Sequence, residues 1–114
     1  MTPTEIRFNI LKLAQYDKTA AEIMVDFVKD DETRYNLYVL AFENTAYMGQ
    51  QVTERASSAK DAAEIMVAFT GKDNADKYQL YTQCFSRTSP NTDVKSRAVA
   101  ASDEASKLYS IFEL

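Results

Sequence analysis

The sequence predicts an all-α fold, a compact bundle of five to six helices that contains two related helical hairpins. Two observations lead there. Only two glycines and two prolines occur in 114 residues, too few turn-formers for a β-rich chain of this length. The segment Ala20 to Phe27 also returns as Ala62 to Phe69, with seven identities in eight at an offset of 42. Apolar residues recur at steps of three and four around both copies, so what repeats is a helix. A chain this long suits one domain, 1–114.

The elements follow in order. Thr2-Pro3-Thr4-Glu5 reads as a capping box with proline at the first helical position, and opens a helix over 3–16 with Ile6, Ile10, Leu13 and Ala14 on one stripe. Asp17-Lys18-Thr19 interrupts it. Thr19 with Glu22 three residues on predicts a second capped start, and a helix to about residue 29 that buries Ala20, Ile23, Met24, Phe27 and Val28. Lys29 to Glu32 supplies a cap and acidic residues at the next N-terminus, where the helix dipole favours them. That helix is expected to reach Phe42 and on to Tyr47, and its apolar surround places it centrally.

The second copy starts at Asp61, in the place of Thr19. Tyr35, Tyr38 and Phe42 recur as Tyr78, Tyr81 and Phe85, now at an offset of 43. The repeating unit is therefore a hairpin, 19–47 and 61–87. Residues 43–60 between the copies keep helical spacing through Ala46, Val52, Ala56 and Ala59, with a break expected near Gly49 or Ser57-Ser58. Gly71 reads as a helix C-terminal residue in the left-handed conformation. The stretch from Ser86 to Asn91, with Pro90, is a loop. A last helix follows, capped by Asn91 or Thr92, on which Val94, Ala98, Ala101, Ala105, Leu108 and Phe112 form a packing seam.

The chemical inventory excludes more than it suggests. With no histidine and one cysteine, the usual general base and zinc ligands are missing. Cys84 stands where the first copy has Ala41, and reads as a small buried thiol. Two glycines cannot form a phosphate-cradling loop. Carboxylates alone can hold Mg²⁺ or Mn²⁺, and Glu22, Asp26, Asp30 and Asp31 are the candidates. Capping and a solvated helix face explain them more simply, and Asp26 becomes Ala68 in the second copy. No catalytic, cofactor-binding or metal residue is assigned, and no cofactor is expected.

The net charge of −4 disfavours nucleic acid and anionic lipid. Neither half is basic: residues 1–57 carry 6 basic and 9 acidic side chains, residues 58–114 carry 7 and 8. A helix-turn-helix reader would need a basic recognition helix. The longest apolar run, Leu37 to Phe42, is six residues against roughly 20 for a membrane helix. The N-terminus lacks the pattern of a signal peptide, and with the lone cysteine this leads to an expected cytoplasmic location.

Thr4-Glu5-Ile6-Arg7, Leu11-Lys12-Leu13-Ala14 and Ala20 to Val28 resemble the start of small uncharacterised helical proteins of tailed marine bacteriophages and some bacteria. The resemblance implies a phage or bacterial origin and brings no activity or site residues. The function expected from the residues is a non-enzymatic protein–protein interaction or accessory role with a protein partner not identifiable from sequence, or a homodimer through the final helix. Tyr109, Phe112 and Leu114 are the partner-contact candidates. A carboxylate-only Mg²⁺ or Mn²⁺ enzyme and a nucleic-acid-associated regulator are the alternatives.

Overall fold

The structure, a computed structural model, describes residues 1–46 and 50–113, with backbone only at Phe112 and Glu113. Six helices are present among the described residues: α1 (Pro3–Leu13), α2 (Lys18–Val28), α3 (Glu32–Glu43), α4 (Val52–Thr70), α5 (Ala75–Ser86) and α6 (Val94–Glu113). The fold is all-α. Its centre is α4, which packs against α2, α3, α5 and α6, while α1 packs on α2. The central place expected for α3 thus belongs to α4. The alanines buried on α4 explain why: Ala56, Ala59, Ala62 and Ala63 are fully covered and let neighbouring backbones approach on more than one side. The Cα envelope is a slab of 45 × 33 × 15 Å, about two helix diameters thick at most.

The helix starts follow side-chain caps. The Thr2 hydroxyl accepts from the Glu5 N–H at 3.2 Å, and the Glu5 carboxylate accepts from the Thr2 N–H at 3.1 Å, completing the predicted box. Helix α1 ends earlier than the stripe predicts. Ala14 closes it, and Gln15 and Tyr16 follow with φ of 56° and 61°. The cap of α2 is then Asp17, which accepts from the Ala20 N–H at 2.9 Å, and Thr19 lies inside the helix. Asp31, Asn74 and Asp93 cap α3, α5 and α6 in the same way. The cap of α6 is therefore one residue beyond Thr92.

Helix ends supply the other corrections. Helix α2 closes on Lys29 in the left-handed conformation, φ 52°, while α4 closes on Gly71 at φ 62° and ψ −160°: the glycine takes the helix end and a positive φ as expected, but not the left-handed helical conformation. A Cβ at Gly71 would meet nothing within 4 Å, so the constraint there is the backbone angle rather than space. Helix α3 stops at Glu43, short of the predicted end; Tyr47 and Gly49 lie outside the described residues. The undecided stretch 43–60 resolves into the end of α3, a turn at Asn44-Thr45, and the first half of α4. Ser57-Ser58 are helical, and Asp61 is an exposed residue in the middle of α4 rather than a cap. Burial of Ala56 and Ala59 makes one continuous helix more favourable than a capped restart.

Residues one offset apart make matching contacts. The buried Tyr38 hydroxyl donates to the Ala56 carbonyl at 2.7 Å, and the buried Tyr81 hydroxyl to the Ala98 carbonyl at 2.7 Å. Phe27 lies 5.6 Å from the Tyr38 ring and Phe69 lies 5.8 Å from Tyr81. Each tyrosine thus ties its own helix to the helix that follows it. Matching also extends to residues outside the two hairpins. Arg55 Nε donates to Thr45 Oγ1 at 3.0 Å, with its guanidinium 4.3 Å over the Phe42 ring. Arg97 Nε donates to Thr88 Oγ1 at 2.8 Å, 4.5 Å over Phe85.

The arginines settle the ends of α3 and α5. Arg55 also donates to the Phe42 carbonyl at 3.3 Å, and Arg97 reaches Asn44 Oδ1 at 2.7 Å. Thr45 and Thr88 each donate to the carbonyl three residues back, Phe42 and Phe85, at 2.6 Å. Carbonyls in a last helical turn lack intrahelical donors and carry partial negative charge, so a cation held there is favourable. Arg97 is 7% exposed. Among the described residues no buried side-chain nitrogen or oxygen lacks a hydrogen-bond partner.

Candidate interaction surface

Helix α1 has two unlike faces. Ile6 and Ile10 are buried against the rest of the fold. Phe8, midway between them, points about 160° away from each. It is 56% exposed, and Leu11, one turn on, is 38% exposed. Thr4, Glu5 and Asn9 line a shallow depression with Phe8. Lys12 holds its ammonium 4.6 Å over the Phe8 ring, a cation–π contact that leaves the ring edge open.

The turn after α1 extends this surface. Tyr16, in the left-handed conformation, is thrown outward and is 68% exposed. With Leu11 and the α2 residues Ala21 and Val25 it lines an open groove between α1 and α2, rimmed by Lys18, Glu22 and Asp26. Of the large hydrophobic residues exposed in the described part of the chain, Met1, Phe8, Leu11 and Tyr16 belong to this end, and Val99 and Ile111 to α6. Two ion pairs fix α1 in place. Arg7 makes a bidentate bond to Asp30, 2.9 and 2.7 Å, and the Met1 ammonium meets Glu32 at 3.1 Å. The backbone and hydroxyl of Thr2 hold the Glu5 carboxyl below the usual glutamate range.

The carboxylates considered for a cation are dispersed among other roles. Asp30 pairs with Arg7, Asp31 caps α3, and Glu22 and Asp26 rim the groove. Among the described residues no three of Asp, Glu and Cys stand close enough to hold a metal ion. Burial pushes the Cys84 thiol up, away from thiolate reactivity. It also pushes the Tyr38 and Tyr81 phenols up. No helix of the described residues is long and apolar enough to cross a membrane.

Tyr109 is half-buried. Its ring meets Phe69 edge-on at 6.3 Å, and Lys77 lies 4.9 Å over it and 5.5 Å over Phe69. The side chain of Phe112 and all of Leu114 lie outside the described residues. Sequence reasoning missed Phe8 and Tyr16, the most exposed aromatic side chains described. It placed Phe8 in a helix without asking which way it faced, although its position opposite Ile6 and Ile10 was there to read. It also missed Arg55 and Arg97. Their signal was the run Val52, Arg55-Ala56 and Ala59, which returns as Val94, Arg97-Ala98 and Ala101 at the same offset of 42.

A family model described as a protein of unknown function (DUF2560) matches residues 1–69. No curated protein and no solved structure matches the chain. The matched stretch takes in α1, α2 and α3 and reaches one residue short of the end of α4. It includes the outward face of α1, the groove beside it and the Tyr38 tie, and stops before α5 and α6. With more than half of its length matched, the chain belongs to the DUF2560 family of proteins of unknown function.

Proposed function

We propose that this chain is a non-enzymatic protein–protein interaction or accessory protein, cytoplasmic and of phage or bacterial origin, built on a duplicated helical hairpin. The observation that carries the interaction reading is Phe8 exposed on the outward side of α1, one turn from the exposed Leu11, which lines a groove with Tyr16. A partner surface that covered these side chains would remove apolar area from water, and the nearby Arg7 and Met1 ammonium already have partners within the chain. Protein is a better fit than nucleic acid or membrane: the net charge is −4, and Glu22 and Asp26 rim the groove. The matched contacts at offsets of 42 and 43 support the duplication. The lone buried cysteine supports a reducing compartment. The resemblance of residues 4–28 supports the origin.

The test compares wild type with Phe8→Glu as bait in a bacterial lysate. A protein retained by wild type and lost with Phe8→Glu, while both baits keep the same helical circular dichroism, is the expected result. A protein retained equally by both, or none retained by either, overturns the reading of this face.

A further inference from the structure

We infer that α1 is an exchangeable element, and that two copies of this chain form a dimer by trading their α1 helices. The inference uses the inner face of α1, Ile6 and Ile10, and is independent of the outward face discussed above. It begins at the turn. Gln15 and Tyr16 both hold positive φ, and neither is glycine or asparagine. For an aromatic side chain this region is strongly disfavoured. No proline or glycine lies between Pro3 and Gly49, so nothing in the linker itself prevents helix.

The second half of the argument is a comparison within the chain. Residues Ala14 to Asp17 stand 42 positions before Ala56 to Ala59. There the chain runs straight on, as the continuous helix α4. Straightening residues 14–17 likewise would join α1 and α2 into one helix of about 39 Å. Helix α1 would then leave its own α2 and present Ile6, Ile10 and Arg7 to a second copy. The receiving surface is the one that α1 already covers, including Asp30 and Glu32. The occupant is therefore a second copy of this chain, because that α1 fits the vacated site contact for contact. Exchange relieves the strained turn and keeps the contacts of α1 with the fold, giving up only the Asp17 cap and the turn's own hydrogen bonds, which continuous helix replaces.

Two variants move the equilibrium in opposite directions. Tyr16→Ala with Asp17→Ala removes the α2 cap and favours continuous helix; the dimer association constant should rise at least about tenfold. Tyr16→Gly relieves the turn and should lower it. Both are read by size-exclusion chromatography with light scattering after incubation of the full chain at about 1 mM, where mass action favours association. A double-alanine variant that stays at the monomer mass overturns the inference.

A mixing experiment identifies the exchange itself. Arg7→Asp and Asp30→Arg each place like charges across the α1–α2 contact. Mixed one to one, an exchanged heterodimer restores both opposite pairs, so native mass spectrometry should show heterodimer in excess of the statistical half. A statistical mixture overturns the exchange. Adding Phe8→Glu to both chains should leave the heterodimer in place; its loss would show pairing through the outward face and would equally overturn the exchange.

Discussion

Helices α1 and α6 end the row of helices in opposite ways. Helix α6 turns mostly polar residues to solvent, Ser96, Asp103, Ser106 and Ser110 with the separate Val99 and Ile111, and its inner side is fixed by Tyr81, Arg97 and a seam of buried alanines. Helix α1 turns Phe8 and Leu11 to solvent and is held by two isoleucines and two surface ion pairs. A polar outer face is what an end helix needs if nothing is to be added to it. The two exposed apolar side chains of α6, Val99 and Ile111, stand twelve residues apart, whereas Phe8 and Leu11 are one turn apart and Tyr16 follows in the next turn, so the difference locates the larger apolar surface at the α1 end.

Mutations can break that comparison, beginning with the largest effect. Arg97→Ala should lower global stability by about 3 kcal/mol, because Thr88 and Asn44 lose a buried donor and the Phe85 ring loses its cover. The urea midpoint measures it. Arg7→Ala, which removes the corresponding cation at the α1 end, should leave that midpoint unresolved from wild type, since an exposed pair is well screened.

Alkaline pH addresses the tyrosine ties. Burial keeps the Tyr38 and Tyr81 phenols neutral in the folded chain, above their ordinary range near 10. The unfolded chain ionises first, so their contribution is complete below about pH 10 and is lost as pH rises beyond it, at roughly 1.4 kcal/mol per pH unit for each. Urea midpoints at pH 9 and 11 should fall accordingly. In a Tyr38→Phe, Tyr81→Phe chain the slope should flatten; an unchanged slope would move its origin elsewhere.

A smaller, local effect is expected at the α1 end. Ile10→Ala should cost about 2 kcal/mol, the low end for such a deletion, because α1 can settle against α2. Its sign in hydrogen exchange is specific: amides of 3–13 lose protection while those of α4 and α6 keep theirs. The smallest effect sharpens the comparison. Phe8→Glu should change stability by less than about 0.5 kcal/mol, since the ring is exposed and contributes little to the core.

Much of this fold was legible, and the failures share a cause. Thr2-Pro3-Thr4-Glu5 and Gly71 were read from local chemistry alone, because the capping atoms and the φ constraint are local. At 17–19 two caps compete. Thr19 with Glu22 fits the pattern better, yet Asp17 wins because buried Ala14 holds the chain in a tight turn directly before it. At Asp61 a good capping residue goes unused, because Ala56, Ala59 and Ala62 bury a continuous helix at the centre of the slab. Packing overrode local preference in both places. The candidate surface was less legible than the fold. Tyr109 was singled out for its type, and Phe8 was passed over although the stripe of Ile6 and Ile10 already placed it on the opposite face.

The 15 Å thickness of the slab has a mechanical consequence. In a plate this thin a helix at the margin has few neighbours, and α1 touches the rest chiefly through α2. Damage at one margin then has no short route to the other, so substitutions in α1 and in α6 should combine independently. Loosening of the first helix can occur while the α4–α6 half stays folded, which makes α1 the part of the molecule free to vary without endangering the remainder.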